Sequence, residues 1–259
     1  MLILHILRLV QAKAPRIVVL ENVGALTSAT HREFFEAVLS LLRGMRWQRL
    51  PSQRYIVEWR LLDTKRFNIP QSRPRIWIVA VRADSLQSSL QWPRPRATAC
   101  QNIDALLGPR PPLHVLAKAL PPATAVNCRC NVELGLSKVR SRGFDPFVDT
   151  HVIEVDNSQA YPSSIMRGCS PCLTRARAKA GGHWVTTRGR RLNTEEMLKL
   201  QNMRPGRLRV PEGVPLAEFH AMIGNSMSVN VIEALLAMLS RACPSVLQTG
   251  PLPDQWSAP

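Results

Sequence analysis

The chain has 259 residues, 45% of them apolar, and 34 Lys and Arg against 18 Asp and Glu give a formal net charge of +16 and a pI near 10.9. So much apolar content can bury a sizeable core, which excludes a disordered polyelectrolyte, and the positive excess predicts a polyanionic partner, nucleic acid above all. Arginine dominates the basic residues, which favours bidentate forks on phosphate.

Leu2, Ile3, Ile6, Leu7 and Val10 recur at helical spacing, and Pro15 closes that helix. The stretch is too short to cross a bilayer and lacks the basic start and small-residue cleavage site of a signal peptide, so an intracellular protein without membrane contacts is expected, nuclear in a eukaryote and in the cytoplasm or nucleoid of a bacterium. Next comes RIVVLENVGAL at 16–26. Ile17 to Leu20 form an unbroken apolar run that meets Glu21, Asn22 and Gly24, the pattern of a buried strand with polar groups at its C-terminal end. In open parallel sheets that end binds ligands. Because the run does not alternate, it predicts cover on both faces and neighbouring parallel strands.

His31 to Met45 reads as an amphipathic helix with Phe34, Phe35, Val38, Leu39 and Leu42 on one face. Strands are predicted at Ile56–Leu62 and Arg75–Val81, joined by a loop that carries QSRPR at 71–75. From Ala83 to Ser164 periodicity fades, prolines cluster and short apolar pieces alternate with polar turns, which predicts a loop-rich insertion or small irregular domain. From Arg167 to Arg209 basic residues dominate. Arg175, Arg177, Arg188, Arg190 and Arg191 flank Gly181-Gly182 and His183-Trp184, a combination of charge and aromatic side chains that suits a surface tracking a nucleic-acid backbone. Asn193-Thr194-Glu195-Glu196 is a helix start. Ser226 to Leu239 reads as the last helix, with Val229, Ile232, Leu235, Leu236 and Leu239 buried, and the Pro- and Gly-containing tail from Pro244 reads as disordered.

Six cysteines include Cys128-x-Cys130 and Cys169-x-x-Cys172, but no His follows at zinc-finger distance. Free thiols are therefore expected, and no metal site.

Taken together and in order, ENV at 21–23, QSRPR at 71–75, GRRLNTEEMLKLQNM at 189–203 and GNSMSVNVIEAL at 224–235 resemble the cytosine-C5 DNA methyltransferase family. The resemblance implies an α/β fold: a partial Rossmann-like domain of the S-adenosylmethionine-dependent methyltransferases over 1–82, a smaller irregular target-recognition region over 83–188, a C-terminal block over 189–243 whose helix returns to the catalytic domain, and a tail over 244–259. It implies double-stranded DNA as partner and S-adenosylmethionine as methyl donor. In that family a cysteine thiolate adds to carbon 6 of a flipped cytosine before the methyl group reaches carbon 5. Glu21 would donate a proton to N3, for which its carboxyl must stay protonated in a partly desolvated setting. Arg75 would hold O2, and Arg73 would support it or bind a neighbouring phosphate.

Asn225 and Ser226, read as the N-terminal end of the last helix, would offer backbone N–H groups to the methionine carboxylate of the cofactor, or simply cap that helix. Asn68 replaces the family's usual glycine before Ile-Pro-Gln and is expected to take a positive φ. The family's Gly-rich cofactor loop and Pro-Cys nucleophile loop do not occur before Glu21, and Pro171-Cys172 lies too late in the chain to stand for the latter. Three readings therefore remain open: part of a methyltransferase, one half of a split enzyme completed by a chain carrying the N-terminal half, or a non-catalytic nucleic-acid-binding relative.

Overall fold

The computed structural model describes residues 2–95, 100–158 and 160–247, so most of the expected tail, from Gln248 on, lies outside the described residues. Its first residues form a turn in which Val246 and Leu247 donate to the Cys243 carbonyl. The chain divides into two compact units, one built from Met1–Leu62, Pro74–Arg94 and Ile232–Pro259, the other from Asp63–Arg73 and Pro95–Val231. Each is described by itself.

In the first unit, α1 (Leu2–Lys13) leads into β1 (Ile17–Val23), α2 (Arg32–Gly44), β2 (Tyr55–Asp63) and β3 (Pro74–Arg82). The sheet order is β1-β3-β2. Contrary to the expectation of parallel neighbours, β1 pairs with β3 antiparallel, Ile17 opposite Val81 and Val23 opposite Arg75. The N–H of Ala83, just after β3, bonds the Arg54 carbonyl just before β2, so β3 runs against both of its neighbours. The unbroken apolar run that signals a central strand belongs to β3, where Ile76 to Val81 are at most 3% exposed. β1 is the edge strand among the described residues, and its Val19 and Val23 are 39% and 50% exposed.

Leu7 and Val10 of α1 and Phe35, Val38, Leu39 and Leu42 of α2 close one face of this sheet with Tyr55, Ile76 and Ile78. Tyr55 donates to the Pro15 carbonyl at 2.7 Å, Trp47 to that of Gln11 at 2.8 Å and Arg82 to that of Ala14 at 2.8 Å. These bonds satisfy the carbonyls left open at the C-terminal end of α1.

The second unit begins with a 3₁₀ turn, Thr64–Phe67, capped by Asn68 at φ 69, the left-handed conformation expected of it. There follow α3 (Leu113–Leu116), α4 (Val126–Ser141), β4 (His151–Ile153), β5 (Ile165–Arg167), α5 (Arg175–Lys179), β6 (Trp184–Val185), β7 (Arg190–Arg191), α6 (Thr194–Leu200) and α7 (Leu216–Asn225). The strands form an antiparallel sheet in the order β5-β4-β6-β7.

Region 83–164, read from sequence only as loop-rich or irregular, contains the 16-residue helix α4. The buried face of α4 is Cys128, Asn131, Val132, Gly135, Leu136 and Val139, a helical spacing masked by a polar and a small member. Asn131 is tolerated there because its amide donates to the Val155 and Asn157 carbonyls at 3.0 and 2.8 Å.

The last helix, α8 (Val229–Ala242), starts three residues later than expected, after a helix that sequence reading did not separate from it. Its buried stripe is Val231, Leu235, Met238, Leu239 and Ala242, while Leu236 is 48% exposed. The inward face is thus turned from the expected one, because packing and not the apolar count selects which stripe is covered.

Helices α5 and α7 touch at Gly224. A Cβ there would stand 2.3 Å from the Thr174 carbonyl oxygen and 2.8 Å from the Ala178 Cβ. Backbone cannot yield as a side-chain tip can, so Gly224→Ala should destabilise the fold by at least the ~3 kcal/mol upper end of ordinary overpacking. A thermal melt reads this directly, and an unchanged Tm would mean that the two helices are not so close.

Candidate active site

Glu21 lies in β1 itself, opposite Trp77 on β3, and Arg75 stands two residues before Trp77 on the same strand. The register brings their side chains together: Arg75 Nε is 2.9 Å from Glu21 Oε1, with side-chain exposures of 13% and 21%. The two residues that the motifs single out for the base are therefore partners at the mouth of one strand pair. Arg75 also donates to the Pro74 carbonyl at 2.9 Å, which fixes its fork. Asn22 Oδ1 accepts the N–H of the adjacent Val23 at 2.8 Å.

QSRPR is divided between the two units. Gln71 is fully buried: its amide donates to the Leu200 carbonyl at 2.7 Å and its oxygen accepts the Leu173 N–H at 2.9 Å. Arg73 is 3% exposed and donates to the carbonyls of Leu173 at 2.8 Å, Ser226 at 2.6 Å and Gly224 at 3.3 Å, with Cys172 Sγ at 3.6 Å. A guanidinium so enclosed cannot meet a phosphate. The catalytic or phosphate role expected for Arg73 is replaced by a structural one, the clamp of the 170–173 segment and the end of α7. Sequence reading quoted Gln71 without giving it a role, and a polar residue opening the motif was the available signal.

Asn225 and Ser226 are also placed otherwise than expected. They form the C-terminal end of α7, where Ser226 Oγ donates to the Ile223 carbonyl at 2.7 Å and the Ser226 carbonyl accepts Arg73. Carbonyls and the negative end of the helix dipole converge there, which suits a guanidinium and repels a carboxylate. The pair does not fit the methionine end of S-adenosylmethionine.

The basic cluster fares similarly. Arg188 has a side chain 4% exposed, bound to the Gly108 carbonyl at 2.6 Å, Thr187 Oγ1 at 2.7 Å and Asp104 at 3.0 Å. Arg190 forms a fork on both oxygens of Glu196 at 2.8 Å, and Arg191 one on Asp156 at 2.6 and 2.9 Å. Arg177 binds Glu154 at 2.5 Å, the Asp156 carbonyl at 3.0 Å and Asn157 Oδ1. Only Arg175 of the five keeps a mostly exposed side chain, 66%, with Glu218 3.9 Å away. The other four lace the second unit together and are corrected from DNA contacts to internal ion pairs.

Burial would raise the Glu196 carboxyl, but hydrogen bonds from Arg190 and from the N–H groups of Asn193 and Gly108 hold it below the usual carboxylate range. It closes the capping box of α6 with Asn193. His183, fully buried, is pushed down to about 4 by burial, against the opposing pull of Glu154 and the Cys172 backbone.

The arrangement is that of an α/β methyltransferase fold. The solved Dnmt2 methyltransferase of S. pombe superposes with a TM-score of 0.52 at 17% identity, covering 92% of this chain and 71% of its own. The family model of the C-5 cytosine-specific DNA methylases matches residues 1–241, and the chain belongs to that family. The type II methyltransferase M.NgoBI of Neisseria gonorrhoeae is 26% identical over 251 residues, 94% of this chain and 67% of that enzyme. M.Bsp6I of a Bacillus strain is 33% identical over 91 residues, 35% of this chain and only 26% of its own length.

Two outcomes follow from this geometry. Arg190→Ala leaves Glu196, 2% exposed, with only its backbone N–H donors; since the Arg190 side chain is itself 39% exposed, the loss should be about 1–3 kcal/mol, seen as a fall in Tm rather than a selective loss of DNA affinity. His183 has a folded pKa of about 4 against an ordinary 6.5, so between those values the unfolded chain binds more protons. Stability from this residue is complete above pH 6.5 and falls by up to about 3 kcal/mol as the pH drops to 4. Urea titrations of wild type and His183→Phe across that window check it: the phenylalanine variant should lose less stability on acidification.

Proposed function

We propose that this chain supplies the base-holding part of a DNA (cytosine-5)-methyltransferase. The observation that carries the reading is the Glu21–Arg75 pair, 2.9 Å apart on adjacent antiparallel strands. A flipped cytosine offers two acceptors on one edge, N3 and O2. Arg75 can donate to O2, and Glu21 in its protonated form can donate to N3, so that negative charge developing on the ring is drawn off at both atoms. Holding the two side chains together before the base arrives removes the cost of orienting them later.

The nucleophile lies outside this chain's residues in the proposal. The first unit carries one cysteine, Cys243, which is fully buried and whose thiol burial pushes up, the reverse of what an attacking thiolate needs. The exposed valines of the β1 edge fit a further segment packing there, whether on the same polypeptide or on a complementing chain. S-adenosylmethionine is the methyl donor by family, and since the Ser226 hydroxyl and carbonyl are engaged at the C-terminal end of α7, the contribution proposed for this chain is to the base and to duplex DNA. Alone, the chain would bind nucleic acid without catalysing transfer, a second reading that the buried Cys243 favours.

With the N-terminal half supplied, Glu21→Gln should lower methyl transfer to a cytosine-containing duplex on the order of 10²–10⁴-fold, the range of a lost proton donor, and leave the Kd for the duplex nearly unchanged. Radiolabel transfer and fluorescence anisotropy measure the two. A parallel fall in affinity would remove Glu21 from this role.

A further inference from the structure

Four of the five arginines between 175 and 191 spend their charge inside the second unit, so its outward positive surface lies elsewhere. The C-terminal end of α4 provides one. The helix closes with the Gly143 N–H on the Arg140 carbonyl at 2.9 Å and the Phe144 N–H on the Val139 carbonyl at 3.3 Å, Gly143 taking φ 82. This turn leaves Arg140 and Arg142 exposed and Lys138 half-buried, and among the described residues none of the three is ion-paired with a carboxylate.

Behind them lie two half-buried rings. The Arg167 guanidinium stacks 4.4 Å from the centroid of Phe144 and is oriented by Asp149 at 2.8 Å, and Arg140 lies 5.5 Å from the centroid of Phe147. Both nearby acids are engaged, Asp149 by Arg167 and Asp145 by the Phe147 N–H at 2.8 Å. A preference of cations for helix C-termini accounts for Lys138 and Arg140 but not for Arg167 on β5. A guanidinium stacked on a ring keeps its N–H edge free for a phosphate.

We propose that this end of α4 is a contact surface for the phosphate backbone of duplex DNA, with Arg140 and Arg142 each meeting a phosphate above the phenylalanine floor. The inference rests on the reading of the chain as part of a DNA methyltransferase. Kd for a short duplex, measured by anisotropy over a range of salt with the full chain, tests it. Replacing both arginines by glutamine should flatten the slope of log K against log salt by about two units, close to 0.9 per phosphate lost, with an unchanged thermal melt. The control Arg32→Gln with Arg43→Gln, on exposed positions of α2, should leave the slope unaltered. An unchanged slope in the α4 variant, or an equal fall in the control, overturns the surface while leaving DNA binding intact. Failure of the wild-type chain to bind duplex at low salt would overturn the DNA reading and this surface together.

Discussion

A single buried guanidinium organises much of the second unit. Arg73 gathers the carbonyls of Leu173, Gly224 and Ser226, three groups from two segments distant in sequence. Each carbonyl would cost free energy if left buried and unpaired, and one planar cation with five N–H donors satisfies them together. Gln71, two residues earlier, completes the lock on Leu173 and Leu200. The close approach of α5 and α7 at Gly224 gives Arg73 carbonyls from both sides to hold. The motif QSRPR therefore serves two ends: its first part fastens a segment, and its last arginine faces Glu21.

The same economy governs the charge of the chain. An excess of +16 predicts a polyanion as partner, and it carries no information about where the charge sits. In the second unit, forks on Asp156 and Glu196 and a buried pair with Asp104 absorb arginines that are neighbours in sequence. Arginine is suited to this because its planar fork satisfies a carboxylate bidentately even when desolvated. Among the described residues Arg140 and Arg142, at the C-terminal end of α4, stay exposed without a carboxylate partner.

In the first unit the antiparallel register between β1 and β3 does for Glu21 and Arg75 what the clamp does elsewhere. A shift by one residue would turn one of the two side chains to the opposite face of the sheet. The bulky, apolar β3, buried over Ile76–Val81, holds that register, so the position of the charged pair depends on core packing rather than on its own attraction.

The sequence by itself determined the family, the strand ends that carry Glu21 and Arg75, the amphipathic helix α2, the capped start of α6 and the left-handed Asn68. These are local: an apolar period, a capping residue or a required φ acts within a few residues of itself. Sequence patterns also suggested parallel partners for β1, a cofactor-binding helix start at Asn225–Ser226, a phosphate contact at Arg73 and DNA contacts for the clustered arginines. Tertiary structure decided otherwise for these, Arg175 among the arginines excepted. Whether an arginine faces solvent, a carbonyl or a carboxylate depends on groups about a hundred residues away, as Arg73 and Leu173 show. The direction of a neighbouring strand and the residue at which a helix starts again after a break depend on packing that no local pattern encodes.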